Sequence, residues 1–180
     1  MNRNDLIVNL THYAAFNEKE EAMREKLLLF VKEHENCFER SLLIGHVTAS
    51  CWVINKSRSK VLLIHHAKLN KWLQPGGHCD GNEHTYKVAE KELLEETGLV
   101  ALTENSNIFD VDIHVIPERK GVPEHKHYDI RYLFQVDEEA PLVQNHETLG
   151  MKWIAMVDVP TLSSEESILR MINKLELSPS

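Results

Sequence analysis

The spacing of apolar residues changes character along this chain, and each change marks a different kind of element. Over residues 1–41 the period is helical. Leu6, Leu10, Tyr13 and Ala14 form a short apolar stripe, and Asn17-x-x-Glu20 is a capping-box signature opening a second helix. That helix carries Met23, Leu27, Phe30, Val31 and His34 on one face. From His46 the pattern becomes that of strands. His46–Asn55 is rich in small and β-forming residues, Lys56-Ser57-Arg58-Ser59 is a polar turn, and Val61–Ile64 is an unbroken apolar run of the kind covered on both faces. Trp72-Leu73-Gln74-Pro75-Gly76-Gly77 reads as a loop, because proline and paired glycines interrupt regular structure. A helix over 84–97 follows, packed through Val88, Ala89 and Leu93 and stopped at Gly98.

Two strands then alternate between apolar and polar residues. Phe109, Val111, Ile113 and Val115 are interleaved with Asp110, Asp112 and His114. Tyr128, Ile130, Tyr132, Phe134 and Val136 are interleaved with His127, Asp129, Arg131 and Gln135. Met151–Ala155 reads as a further strand, and Ser163-x-x-Glu166 caps a last helix with Ile168, Leu169, Ile172 and Leu175 inward. This order implies an α/β fold, a mixed sheet with helices packed against it. The expected division is a helical N-terminal extension over 1–45 and an α/β domain over 46–180. The extension is read as a helical hairpin covering the core, or alternatively as a dimer surface or a lid.

Bulk composition narrows the function. A chain of 180 residues, 42% hydrophobic and 27% charged, is long enough for one well-buried core. No apolar run approaches a membrane span and no signal-peptide pattern opens the sequence, so a cytoplasmic protein without membrane partners is expected. Cys37, Cys51 and Cys79 are odd in number and widely spaced, which suits reduced thiols better than a disulfide framework. The net charge of −8 argues against general nucleic-acid binding. It also means that a phosphorylated ligand needs local cations to reverse the field.

The most informative stretch is Gly77–Leu99, GHCDGNEHTYKVAEKELLEETGL. Glu92, Glu95 and Glu96 stand at i, i+3 and i+4, so a helix projects all three from one face. Like charges so placed repel by a few tenths of a kcal/mol per pair. A hard divalent cation over them would remove that cost, since such ions take oxygen ligands. With Gly77, Glu83, Lys91, Leu93, Gly98 and Leu99, the stretch resembles the box of the Nudix hydrolase family, G-x5-E-x7-R-E-U-x-E-E-x-G-U with U a bulky aliphatic. Six fixed positions match. At roughly 7% usage per residue type, that coincidence arises about once in 10⁷ starting points. The one departure is Lys91, where the family has arginine. In the family that arginine pairs with the earlier glutamate, here Glu83, and lysine lacks the planar fork.

The resemblance covers about His46 to Leu175. It implies an α/β/α sandwich and hydrolysis of a diphosphate linkage in a nucleoside diphosphate derivative or related small metabolite. The cofactor it implies is magnesium, or manganese in its stead. It further implies Glu92, Glu95 and Glu96 as metal-binding and catalytic carboxylates, the Gly77 carbonyl as a metal ligand, and Glu83, Lys91 and Gly98 as structural members of the box. The general base is a box glutamate or Glu147 from a later loop. Family members are often dimers, so a homodimer is a further expectation.

Outside the box the residues leave alternatives. His125, His127, Asp129 and Arg131 alternate on one strand face. They could contact substrate, with Arg131 gripping phosphate, bind a transition metal, or form a solvated polar face. Lys68 and Lys71 are candidate phosphate neighbours, and Trp72 could stack on a base or simply pack. His65-His66 and His78-Cys79-Asp80 shape the mouth of the site or supply loop polarity. Two rival functions remain: a non-catalytic ligand sensor, and an isomerase of isoprenoid diphosphates. Sensors usually lose box carboxylates and isomerases need a catalytic cysteine with a diverged box, so the intact box speaks against both.

Overall fold

The computed structural model describes residues 2–67, 69–119, 121–145 and 148–177. Its elements run α1 (Arg3–His12), α2 (Glu18–Glu33), β1 (Gly45–Asn55), β2 (Lys60–His66), β3 (Lys71–Leu73), β4 (Gly76–His78), α3 (Thr85–Thr97), β5 (Ile108–Ile116), β6 (His125–Val136), β7 (Thr148–Ala155) and α4 (Glu166–Leu177). This is an α/β fold with a mixed sheet, preceded by a helical N-terminal segment. The chain divides into two compact units, and β1, β4, α3 and β6 each contribute to both.

The first unit comprises Met1–Ser50, Gly77–Ala89 and Ser106–Tyr132. Here α2 packs against α1 and β5. Asn2 caps α1 and Asn17 caps α2, each accepting a backbone N–H three residues on. Glu20, expected only as a capping residue, is fully buried. Its carboxylate receives the Tyr13 hydroxyl at 2.6 Å, the Phe16 N–H at 2.7 Å and the Val111 N–H at 3.2 Å. The glutamate thus ties the helical segment to β5 through charge-assisted hydrogen bonds. The helical segment also fastens the box loop. Arg3 donates its backbone N–H to Glu83 at 2.9 Å, Arg40 pairs with Asp80, and Gly81 N–H reaches Phe38 carbonyl at 3.0 Å.

In the same unit β5 and β6 pair antiparallel, placing Asp110 opposite Arg131, Asp112 opposite Asp129 and His114 opposite His127. The polar faces of both strands therefore coincide. Most of the row is covered: Asp110, Asp129 and Arg131 are all buried, so those members are not solvated.

The second unit comprises Cys51–Gly76, Glu90–Asn105 and Leu133–Ser180. Val61–Leu63 are fully buried and Ile64 nearly so, as a doubly covered strand requires. β2 pairs antiparallel with β7 along its length, with β1 at Leu62 and Val61, and with β3 at Ile64–His66. β3 falls where the proline and glycines suggested a loop, because pairing with β2 satisfies its backbone. α4 is strongly amphipathic and buries Ile168, Met171, Ile172 and Leu175.

Gly98 ends α3 with φ +75°, and a Cβ there would lie 2.7 Å from the Val143 side chain. Positive φ and a close neighbour together predict that Gly98→Ala destabilises the protein by roughly 1–3 kcal/mol. Urea denaturation checks this; a midpoint equal to wild type would contradict it.

Candidate active site

The box carboxylates differ sharply in setting although they share one helix. Glu96 is 5% exposed, and its carboxylate accepts the Gly76 N–H at 2.8 Å. Glu92, one turn earlier on the same face, is half-buried. Glu95 is exposed and lies 3.2 Å from Lys91 Nζ. That pair places lysine N-terminal to glutamate, the weaker orientation on a helix, and both ends face solvent. A pair so weak yields readily to a better ligand. The donor set consists of carboxylate oxygens, one fixed by a backbone N–H and others near solvent. It suits a hard ion that retains waters.

The other expected site residues are distributed as follows. Glu83 accepts the Arg3 N–H while Lys91 pairs with Glu95. Lys71 Nζ lies 2.5 Å from a Glu165 carboxylate oxygen, both well exposed. The Trp72 ring stacks on His65 with centroids 5.0 Å apart. Lys68, His146 and Glu147 lie outside the described residues. Arg131 is 2% exposed, with its guanidinium on Asp129 at 2.8 Å, Asp112 at 3.2 Å and Asp110 at 3.4 Å. Burial works against its charge, and Asp112, Asp129 and Asp110 outweigh it, raising its pKa. Asp129 also accepts the Thr48 and Ser50 hydroxyls at 2.9 and 2.7 Å. The three cysteines are buried and outside any disulfide, and burial pushes the Cys37 thiol up to about 11. That makes Cys37 a poor nucleophile.

Sequence reasoning missed His46. It alternates with Thr48 and Ser50 on β1, a polar face in an otherwise apolar strand that could have drawn attention. The structure joins its ring to those of His125 and His127, 5.2 and 4.8 Å away, and of His78, 5.1 Å away. His114 lies 5.3 Å from His127. Burial, reinforced by mutual repulsion, lowers the pKa of His46. Burial, then the Arg40 charge, brings His78 down to about 4. Burial, then His78 and His114, brings His127 down to about 2.

These shifts give a signed pH prediction for the metal-free protein. Each ring in an unfolded chain takes a proton near 6.5, while His78 and His127 resist to about 4 and about 2. Between those values and 6.5 the unfolded state binds more protons, so stability falls as pH drops through that window. Thermal melts in a chelator, run from neutral to acid pH, should show a steadily falling Tm. A flat Tm across the window would count against the buried cluster.

An α/β fold in which a glycine-rich turn leads into a helix bearing three carboxylates on one face is the arrangement that the box resemblance implies. A NUDIX domain model matches residues 45–174, and the chain belongs to the Nudix hydrolase family. It is accordingly a hydrolase of diphosphate bonds. A Lactococcus lactis subsp. cremoris protein described as "Probable DHNTP pyrophosphohydrolase" is 29% identical over 120 residues, 64% of this chain and 72% of the relative. A Caenorhabditis elegans Ap4A hydrolase shares the fold with a TM-score of 0.59 at 19% identity, covering 72% of this chain and 94% of that one. A Nudix-family hydrolase from Clostridium perfringens does so at 0.55 and 24% identity, covering 73% and 97%. Among the described residues no helix is long and apolar enough to cross a membrane.

Proposed function

We propose that the chain is a divalent-metal-dependent pyrophosphohydrolase of a small nucleoside or pterin polyphosphate. The observation that carries this is Glu96, buried and held by the Gly76 N–H on the helix face that also bears Glu92. A buried carboxylate oriented by a backbone N–H presents its oxygens in a fixed direction, as a cation ligand requires. Glu92 and Glu96 serve as the principal metal ligands, with Glu95 as a third and the Gly77 carbonyl as a further one by the family resemblance. Bound magnesium would neutralise the diphosphate oxygens and lower the pKa of an attacking water.

The protein's own part is to hold these oxygens in place. The Gly76 N–H fixes the Glu96 carboxylate, and the box loop is secured by Arg3 and Arg40 rather than by an arginine at position 91. Proton removal from the water falls to Glu95 or Glu147. Lys71, once released from Glu165, is free to meet a phosphate oxygen. We assign Arg131 a positioning role within its three aspartates. The Lactococcus relative makes a pterin triphosphate the first substrate to try, beside nucleoside triphosphates, sugar nucleotides and dinucleoside polyphosphates.

A magnesium-dependent screen for phosphate and pyrophosphate release tests this reading, with Glu96→Gln as the blank. A substrate cleaved by the wild type alone supports it. Silence across the panel from folded, magnesium-bound protein would favour a ligand sensor.

A further inference from the structure

Five histidines gather on one polar face of the first unit, outside the box carboxylates. His46 comes from β1, His78 from β4, His114 from β5, and His125 and His127 from β6. Each neutral ring has one lone pair and one N–H to satisfy. His46 is 4% exposed; the Leu42 backbone acts on its ring as a hydrogen-bond acceptor, and among the described residues no hydrogen bond of good geometry reaches either ring nitrogen. Nor does one reach His127 Nε2. Buried orphans of this kind cost stability unless something meets them. An anion would meet N–H groups but would leave the lone pairs facing negative charge. A metal cation meets the lone pairs.

We propose that His46, His125 and His127 form a binding site for a divalent transition metal ion of the zinc class, separate from the magnesium site of the box. One ligand nitrogen from each lies within 4.8 Å of the others. Tetrahedral zinc with bonds near 2.0–2.1 Å needs about 3.4 Å between ligand nitrogens, so the rings close inward by roughly an ångström. The backbone already provides the frame. His125 and His127 are two apart on a strand and therefore share a face. The Pro123 carbonyl lies 2.8 Å from His125 Nδ1. By accepting a hydrogen bond there it fixes the tautomer that presents Nε2 to a metal, the outer-shell arrangement typical of ligating histidines.

Imidazole donors select zinc, cobalt, nickel or copper over magnesium. Three protein ligands leave a fourth position, the mark of a site that exchanges water for another oxygen ligand. The ring of His78 borders it, 5.1 Å from His46 and 4.9 Å from His127 by centroids. The fourth position is thereby left to water or an exchangeable oxygen ligand.

The test is direct binding to the full chain after chelation, followed by Zn2+ and Co2+ titration in excess magnesium. One equivalent should bind, raise the Tm, and give cobalt the intense visible bands of a four-coordinate site. His46→Asn and His127→Asn should each weaken binding by more than about 100-fold, beyond the 10–100-fold usual for an outer-shell loss. His125→Gln, at a half-buried position, gives the same readout should the other two fail to fold. Glu96→Gln should leave stoichiometry and spectrum unchanged, which keeps this result independent of the pyrophosphohydrolase reading. Absence of a stoichiometric site tighter than about 10 µM, a pale six-coordinate cobalt spectrum, or loss of binding in Glu96→Gln would each overturn the proposal.

Discussion

Glu96→Gln is expected to fold like the wild type and to lose turnover by about 10²–10⁴-fold, the range for removal of an essential acid–base or ligand function. The substitution is nearly isosteric. Its amide oxygen can still accept the Gly76 N–H, which the carboxylate accepts at 2.8 Å, so the contact with β4 survives. What disappears is the negative charge at a position only 5% exposed. Folding and catalysis therefore separate in this variant. Circular dichroism and the Tm report the first, and pyrophosphate release in magnesium reports the second. Turnover within a factor of a few of wild type would refute the central assignment. Glu95→Gln provides the contrast: its side chain is 52% exposed, so its loss leaves stability essentially unchanged and tests only chemistry. Glu147→Gln beside it asks which of the two takes the proton.

Arg131→Met should be among the most destabilising single changes available, by about 3–5 kcal/mol, the range for removing one partner of a buried ion pair. Arg131 is almost wholly buried between two strands, with Asp110, Asp112 and Asp129 on its guanidinium. Asp112 and Asp129 stand directly opposite in the β5–β6 register, an arrangement that repels without a cation between them. Methionine fills similar space and offers no charge, leaving buried carboxylates to be protonated or exposed. The loss should accordingly be smaller in mildly acidic buffer than at neutral pH. A guanidinium titration at both pH values decides it. A midpoint close to wild type at neutral pH would show that the network contributes little, and would return Arg131 to consideration as a ligand group.

The elements were largely legible from residue spacing because most of them obey one period cleanly. Helix α3 occupies Thr85–Thr97 against the expected 84–97, since Gly98 in the left-handed region forces a stop wherever packing places the helix. The short strands β3 and β4 were not legible. Their three residues each carry no period of their own, and they exist through pairing with β2 and β1. At the site, the box resemblance put Glu92 and Glu96 ahead of Glu95 as metal ligands but could not rank the three more finely. Burial and the Gly76 hydrogen bond, both products of tertiary packing, single out Glu96. Glu20 and His46 carried weak local signals for the same reason. One looked like an ordinary capping residue and the other like the start of a strand, and each gains its meaning from residues more than sixty positions away.

Arg3 makes the opening helix more than an appendage. Its backbone N–H holds Glu83, and its guanidinium closes the end of α2 on the Val31 and Lys32 carbonyls, each at 2.9 Å. In this chain the first helix thus supplies to Glu83 a fastening that the box resemblance would have placed at position 91. A chimera that keeps this box but borrows another relative's amino-terminal helices would inherit a loose loop, and restoring arginine at 91 would be the natural compensating change.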